Sequence, residues 1–308
     1  MSTPRLSSAF ELKLAIGRWL HLAWLLRSRH FRRNLKACGL SPRELMRSMS
    51  HSVRYLRQCE RRRDPYPVVV VDGFLDGRMM TLVSQSFPGS DDMEDMPVER
   101  TRNAMARRNR KLFRLNPESL AGLPVDRAAF WAVFSAFIDL LSQEMMHALP
   151  DPDPDLRVES FQSGFKVRKD LWMDRGGFQI SPHTDGVQKY ATFLLYCSGH
   201  PSLEQEGTSV FVPKEDGFRS WNGKQYKFDD FDEAFRAPYR QKVVFVFRKT
   251  DHSFHGKYPG ETTVEARRQG FSRGLSVPAR RRRHRWPDCR VRPRCGAAGC
   301  TWPPVHCD

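Results

Sequence analysis

Four short runs of β-branched and aromatic residues constrain the fold of this chain more than any other feature. Val, Ile, Phe, Tyr and Thr pack well on a pleated, half-buried surface, and clusters of Gly, Pro, Ser and Asp separate the runs. The pattern predicts a core of short β-strands joined by turns. The four runs cover residues 178–181, 190–196, 208–214 and 242–247.

Residues of metal-ligand type follow two of these runs. His183 and Asp185 come directly after the first run, and His255 comes after the last. Side chains two apart in an extended segment point to the same side, so His183 and Asp185 can bind one ion from a single strand end. Two imidazoles and one carboxylate form the 2-His-1-carboxylate triad that holds iron(II) on one face. The tripeptide alone also fits an ordinary polar turn, so the prediction depends on the whole arrangement.

Several linked motifs carry a resemblance to a known family. They are the segment 178–185, the segment 207–209, and the late motif Ser253-Phe254-His255-Gly256. In this order they resemble the iron(II)/2-oxoglutarate-dependent oxygenase superfamily, in its prolyl-hydroxylase-like and phytanoyl-hydroxylase-like branches. The resemblance covers roughly residues 66–268, and residues 67–75 resemble its entry strand. It implies an α+β, mainly β fold, with a double-stranded β-helix (jelly roll) core and supporting helices.

The resemblance also implies a set of site residues. His183, Asp185 and His255 match the iron ligands, and His252 is a weaker rival for the last position. Arg267 and Arg268 follow His255 at roughly the separation where the family places an arginine for the distal carboxylate of 2-oxoglutarate. Arg267 is narrowly favoured, and a solvated basic pair is the alternative.

The cofactors implied by the resemblance are Fe(II), 2-oxoglutarate as co-substrate and O2. The implied activity is that of a dioxygenase that hydroxylates an organic substrate while it decarboxylates 2-oxoglutarate to succinate. The substrate, a small molecule or a protein, is not identified by the sequence.

Charge is concentrated at the two ends of the chain. The formal net charge is +16, with 15 basic against 3 acidic residues in 1–63 and 9 against 2 in 269–308. The segment 64–268, which is the predicted oxygenase domain, is mildly acidic. The basicity therefore gives little support to nucleic-acid binding by that domain.

The segment 1–63 is predicted to be a basic helical extension. Ser41-Pro42-Arg43-Glu44 is a capping box, and an apolar stripe with helical spacing follows it. An earlier helical segment, residues 10–31, is too interrupted to span a membrane. It fits either contact with an anionic membrane or partner protein, or packing on the β core, and packing is favoured. A further apolar helix is predicted over residues 126–148.

Residues 269–308 form an Arg-, Cys- and Pro-rich tail that is predicted to be disordered. The alternating apolar pattern is lost from about Gln269, so no closing strand is expected there. The seven cysteines lack a framework spacing and no export signal is recognisable, which favours a cytoplasmic protein.

Two other classes of function remain open at this level. A cupin-like, non-oxidative metal protein would use the triad without 2-oxoglutarate. A catalytically degenerate basic scaffold or binding protein would need no metal, and would bind nucleic acid or membrane in a salt-sensitive way.

Overall fold

The structure is a computed structural model that describes residues 8–97, 108–150, 165–186, 189–260 and 266–275. For residues 8–11, 165–166 and 266–275 it describes the backbone alone. The chain divides into two units, residues 1–276 and 277–308, and every described residue belongs to the first.

A layer of α-helices covers one face of the larger of two β-sheets. Its centre is the long helix α6, which begins after Pro124 and whose aromatic side chains are buried. The helices in the described part of the chain are α1 (Ser8–Arg27), α2 (Arg29–Ala37), α3 (Pro42–Gln58), α4 (Gly77–Ser86), α5 (Pro117–Ala121) and α6 (Val125–Ala148).

The N-terminal helices contact α6 and share its hydrophobic core. The predicted capping box is confirmed, because the backbone N–H of Ser41 donates to Glu44 and that of Glu44 donates to the Ser41 hydroxyl. The apolar stripe of α3 is buried as expected, at Leu45, Met49 and Val53 among others. Packing on the core is therefore one role of these helices.

Twelve described strands form two antiparallel sheets. The larger has the order β1-β2-β10-β7-β12-β5-β4-β3, and the smaller has the order β6-β11-β8-β9. The strands are β1 (Glu60–Arg62), β2 (Val68–Val71), β3 (Glu94–Asp95), β4 (Arg110–Arg114), β5 (Phe165–Asp174), β6 (Ile180–His183), β7 (Lys189–Tyr196), β8 (Ser209–Pro213), β9 (Phe231–Arg236), β10 (Val244–Arg248), β11 (His255–Lys257) and β12 (Ala266–Leu275).

The larger sheet has an outer face against the helices and an inner face toward the smaller sheet. Side chains alternate between the faces: Val244 and Val246 join the core of α6, whereas Phe245 and Phe247 pack with Val210 of the smaller sheet. All four predicted strand runs are strands here, as β6, β7, β8 and β10.

The expectation that no strand follows Arg268 is wrong. β12 spans ten residues and lies between β5 and β7, with Phe271 opposite both Lys169 and Phe193. A strand paired on both sides receives its backbone hydrogen bonds from its neighbours, so it forms without a regular apolar alternation of its own. Of the predicted tail, residues 269–275 belong to this strand, and the remainder lies outside the described residues.

Candidate metal centre

The three predicted metal ligands meet at the point where β6 ends and β11 begins. His183 and His255 are direct cross-strand partners, and Asp185 follows two residues after His183. One ligand atom from each residue can be chosen such that all three lie within 4.8 Å of one another. The rings of the two histidines are 4.4 Å apart between centroids. The pairing of two strands distant in sequence thus assembles the cluster.

Gly256 permits the close approach of these two strands. A Cβ at this position would lie 2.5 Å from the carbonyl oxygen of Ile180, which is too close for any side chain. The register of the β6–β11 pair shifts between His255 and Lys257, where Gly256 alone lies opposite Ser181 and Pro182, so the extra residue of the bulge belongs to β6. The glycine of the late motif therefore has a structural reason, namely to bring His255 against β6.

Backbone carbonyls fix the orientation of both imidazoles. The Nδ1 of His183 lies 2.9 Å from the carbonyl oxygen of Ser181, and the Nδ1 of His255 lies 3.0 Å from that of Ser253. A carbonyl only accepts, so Nδ1 carries the proton in each ring and Nε2 keeps its lone pair. The Nε2 of His255 is 3.8 Å from Oδ1 of Asp185. This is the tautomer that metal-binding histidines use.

Two side chains hold the Asp185 carboxylate. The Lys189 ammonium donates to Oδ1 at 2.6 Å, and the Thr192 hydroxyl donates to Oδ2 at 2.6 Å. Lys189 opens β7 and Thr192 lies on the inner face of the same strand. Asp185 follows β6 of the smaller sheet, and its carboxylate is held by two side chains of the larger sheet.

The electrostatics of the cluster favour neutral imidazoles beside an ionised carboxylate. Burial lowers the pKa of His255 to about 3, and burial also lowers the pKa of His183. Burial alone would raise the pKa of Asp185, but the Lys189 ammonium, together with the two imidazoles once acid has protonated them, holds it well below its usual range. At neutral pH the site therefore presents two uncharged nitrogen donors and one anionic oxygen donor.

Apolar and aromatic groups shield the inner side of the cluster. The Phe247 ring lies 4.3 Å from the His255 ring, and the fully buried Tyr66 donates its hydroxyl to the carbonyl oxygen of Phe254. Burial and the nearby Asp185 raise the pKa of Tyr66 well above its usual value, so it stays a neutral donor. These contacts anchor the segment that carries His255.

The loop between β8 and β9 lies against the other side of the His-Thr-Asp segment. Thr184 donates to the carbonyl oxygen of Ser220, and the backbone N–H of Tyr226 donates to that of Pro182. Gly223, in the left-handed region at φ 71°, approaches the backbone at Gly186. The loop thereby forms one wall of the site.

Lys249 and Trp221 lie at the edge of this wall. The Lys249 ammonium is 4.7 Å from the Trp221 ring centroid, and that ring is half exposed. Burial is the main cause that lowers the pKa of Lys249 to about 8. Lys249 and Lys189 make the surroundings of Asp185 electropositive.

The structure keeps His252 out of the ligand cluster. Its Nδ1 lies 2.7 Å from Oδ1 of Asp251, in the turn before β11. It is not part of the group of ligand atoms formed by the other three residues. The structure thus places His255, and not His252, beside His183 and Asp185.

The two predicted arginines occupy different register positions on β12. Arg267 lies opposite Met173, which belongs to the outer core, whereas Arg268 lies opposite Trp172 and Tyr196, which contact the inner cluster. Cross-strand partners share a face of the sheet. The register therefore assigns Arg268 to the inner face and Arg267 to the outer face.

Sequence reasoning did not assign a role to the side chains that hold Asp185 or to the loop wall. Lys189 and Thr192 follow Asp185 by four and seven residues, which is a helical spacing, yet both residues lie in a strand, β7. They meet the carboxylate because the chain enters β7 at Lys189, whose backbone N–H donates to the carbonyl oxygen of Gly186. No local pattern in the sequence indicates this arrangement.

The comparisons with known proteins give similarity of structure without similarity of sequence. No protein-family model matches the chain, and no curated protein matches it. Solved structures do: the non-heme alpha ketoglutarate dependent carbocyclase SnoK is 11% identical, with a TM-score of 0.44 over 73% of this chain and 83% of that one.

Two further similar structures come from bacteria. A prolyl-4-hydroxylase from Pseudomonas putida is 9% identical, with a TM-score of 0.41 over 74% of this chain and 100% of that one. HygX from Streptomyces hygroscopicus, solved with nickel, 2-oxoglutarate and hygromycin B, is 9% identical, with a TM-score of 0.37 over 68% and 83%. Of these three proteins, SnoK is alpha ketoglutarate dependent and HygX binds 2-oxoglutarate together with nickel.

Proposed function

We propose that this protein is an iron(II)- and 2-oxoglutarate-dependent dioxygenase that hydroxylates an organic substrate. The observation that carries the proposal is the convergence of His183, Asp185 and His255, whose ligand atoms lie within 4.8 Å of one another. Two neutral nitrogen donors and one carboxylate suit a non-haem iron(II) site and leave further coordination positions for other ligands.

The strand order supports the finer assignment of a jelly roll core. From β5 to β12 the chain moves between the two sheets so that β5-β12-β7-β10 face β6-β11-β8-β9. Within each sheet, strands from the set β9–β12 thus lie beside strands from the set β5–β8, which is the arrangement of a double-stranded β-helix.

Bound iron(II) with 2-oxoglutarate and O2 would supply the oxidative chemistry, in which the co-substrate is decarboxylated to succinate as the substrate is hydroxylated. The protein supplies geometry and exclusion of water. The carbonyls of Ser181 and Ser253 keep the imidazole protons on Nδ1, so that both Nε2 atoms remain available. Thr192 and Lys189 keep the carboxylate ionised and oriented.

We assign the distal carboxylate of 2-oxoglutarate to Arg268, because its register position lies on the inner face of the larger sheet with Tyr196. A guanidinium offers a carboxylate two parallel hydrogen bonds. Arg267, opposite Met173, then serves as a matched control of the same residue type on the same strand.

The test is an anaerobic titration with iron(II) and then 2-oxoglutarate, followed by the visible charge-transfer band of the chelate. We expect a band in the wild-type protein, none in Asp185→Ala, a much weaker one in Arg268→Ala and an unchanged one in Arg267→Ala. On admission of O2, the wild type should slowly form succinate.

The titration also separates the alternative functions. Metal binding without a charge-transfer band would favour a cupin-like, non-oxidative metal protein. Folded wild-type protein that binds no metal would overturn the enzyme proposal and leave the degenerate scaffold. Loss of the band in Arg267→Ala but not in Arg268→Ala would reverse the assignment of the anchor alone.

A further inference from the structure

Helix α1 is apolar on both of its sides. Leu22 is buried against the helical core, Leu25 and Leu26 pack beside it, and Arg18 forms an ion pair with the buried Glu144 of α6. These contacts hold one side of the helix to the protein. A helix that is apolar all round belongs in an apolar environment, yet the other side of α1 faces solvent.

The exposed side carries five large apolar side chains. Their spacings of four, three, one and four residues place them on one side of the helix. Their exposed fractions are Leu12 61%, Ile16 49%, Trp19 43%, Leu20 67% and Trp24 65%. A contiguous apolar patch of this kind is uncommon on a soluble surface and marks a site of contact.

The surroundings of this patch are strongly basic. Residues 8–37, which span α1 and α2, contain one acidic residue, Glu11, and seven Lys or Arg. Of these seven, Lys13 and Arg27 flank the patch within α1, and Arg29, Arg32, Arg33 and Lys36 are exposed on α2. The patch thus combines exposed tryptophans with an excess of exposed cations on α1 and α2.

We propose that the exposed side of α1 binds the surface of an anionic lipid bilayer. Tryptophan, with an apolar ring and an N–H donor, is suited to the boundary between headgroups and acyl chains, and the cations attract anionic headgroups. None of the described helices is long and apolar enough to cross a membrane, so α1, about 30 Å long, would lie in the plane of the interface.

The positive charge near the patch favours an anionic bilayer over a second copy of the chain as the binding partner. A symmetric contact through the patch would bring two sets of cations from α1 and α2 together, and like charges at an interface oppose association. An anionic bilayer instead neutralises them, and each cation near such a surface strengthens binding about fivefold.

The experiment is sedimentation of the full chain with vesicles of phosphatidylcholine, with or without phosphatidylglycerol. We expect co-sedimentation with the anionic vesicles alone, weakened by salt. Trp19→Ser/Trp24→Ser should lower the partition coefficient by about tenfold or more, because two apolar rings no longer enter the interface. Val125→Ser, which alters an exposed apolar residue on α6, should leave binding unchanged.

Circular dichroism of each variant establishes that it is folded, and Asp185→Ala, which removes a ligand of the proposed metal site, should bind vesicles like the wild type. Folded wild-type protein that stays in the supernatant overturns the proposal. Undiminished binding by the double tryptophan variant overturns the role of this patch. A dimer in sedimentation velocity that the same variant dissolves would show that the patch joins two copies instead.

Discussion

The two faces of the larger sheet differ in function, although the same strands contribute alternate side chains to both. On the outer face, Phe193 and Leu195 of β7 pack into one apolar core with α6. On the inner face, Thr192 of the same strand donates to a carboxylate that belongs to the proposed metal site. Stability should therefore depend mainly on the outer face, and metal affinity on the inner face.

Phe134→Ala tests the outer face and has the largest expected effect on stability. Phe134 is fully buried on α6 and stacks on Phe137 at 5.6 Å between centroids. Its truncation leaves a cavity, so we expect the free energy of unfolding to fall by about 3–5 kcal/mol. Denaturant unfolding followed by circular dichroism measures this.

Val125→Ala on the same helix is the matched control, because Val125 is 79% exposed. It should change stability by no more than about 0.5 kcal/mol. Equal losses in the two variants would mean that α6 is not the centre of the outer core.

Thr192→Val tests the inner face with a change of similar shape. The variant leaves Oδ2 of Asp185 without its hydroxyl donor, so the carboxylate is less well oriented toward a metal. We expect manganese(II) affinity, measured by isothermal titration calorimetry, to fall about 10–100-fold. The metal thus serves as a probe that does not depend on turnover.

Thr208→Val distinguishes loss of metal orientation from general damage to the inner face. Thr208 is also buried, and its hydroxyl accepts a hydrogen bond from Tyr196 rather than contacting Asp185. Metal affinity should survive this change even if stability falls. A similar loss of affinity in both variants would remove the specific role of Thr192.

The sequence predicts the inner face unevenly, for physical reasons. His183, Asp185 and His255 can be found because their chemistry and their position after strand-like runs are local features. The contacts of Lys189 and Thr192 cannot be found in this way, because they depend on the tertiary arrangement of β7, in the larger sheet, and the end of β6, in the smaller sheet. β12 was missed because its neighbours β5 and β7 stabilise it more than its own residue pattern does.

The α-helical layer can be predicted from the sequence more completely than the proposed metal site. The capping box at Ser41 and the stripe on α3 are local patterns that the structure reproduces. The single helical segment predicted for residues 10–31 is instead two helices, α1 and α2, with the break at Ser28, whose side chain caps α2.

Acid should destabilise the metal-free protein through the inner face. Histidines in the unfolded chain protonate near pH 6.5, whereas burial lowers the pKa of His255 to about 3 and lowers that of His183. The unfolded state therefore binds more protons below pH 6.5, and stability falls as the pH decreases. His255 should contribute on the order of 1 kcal/mol per pH unit, and His183 should act in the same direction.

Unfolding free energies of the chelator-treated protein between pH 6.5 and 5 check this, because Asp185 stays ionised in that window. His255→Gln should flatten the dependence, and His30→Gln, which alters an exposed histidine on α2, should not. An unchanged slope in His255→Gln would contradict a buried, neutral imidazole.

Ser41→Ala tests a local contact in the helical layer, the N-cap of α3, and of these variants it has the smallest expected effect on stability. Ser41 caps α3 by accepting from the backbone N–H of Glu44, and α3 carries its stripe into the outer core. Loss of the cap should lower the free energy of unfolding by about 1 kcal/mol and leave manganese(II) affinity unchanged.

Ser50→Ala, in the exposed interior of the same helix, should be neutral or slightly stabilising, because alanine favours the helix and no cap is lost. If Ser41→Ala lowered metal affinity as strongly as Thr192→Val, the helical layer would be coupled to the proposed metal site, and the division between the two faces would fail.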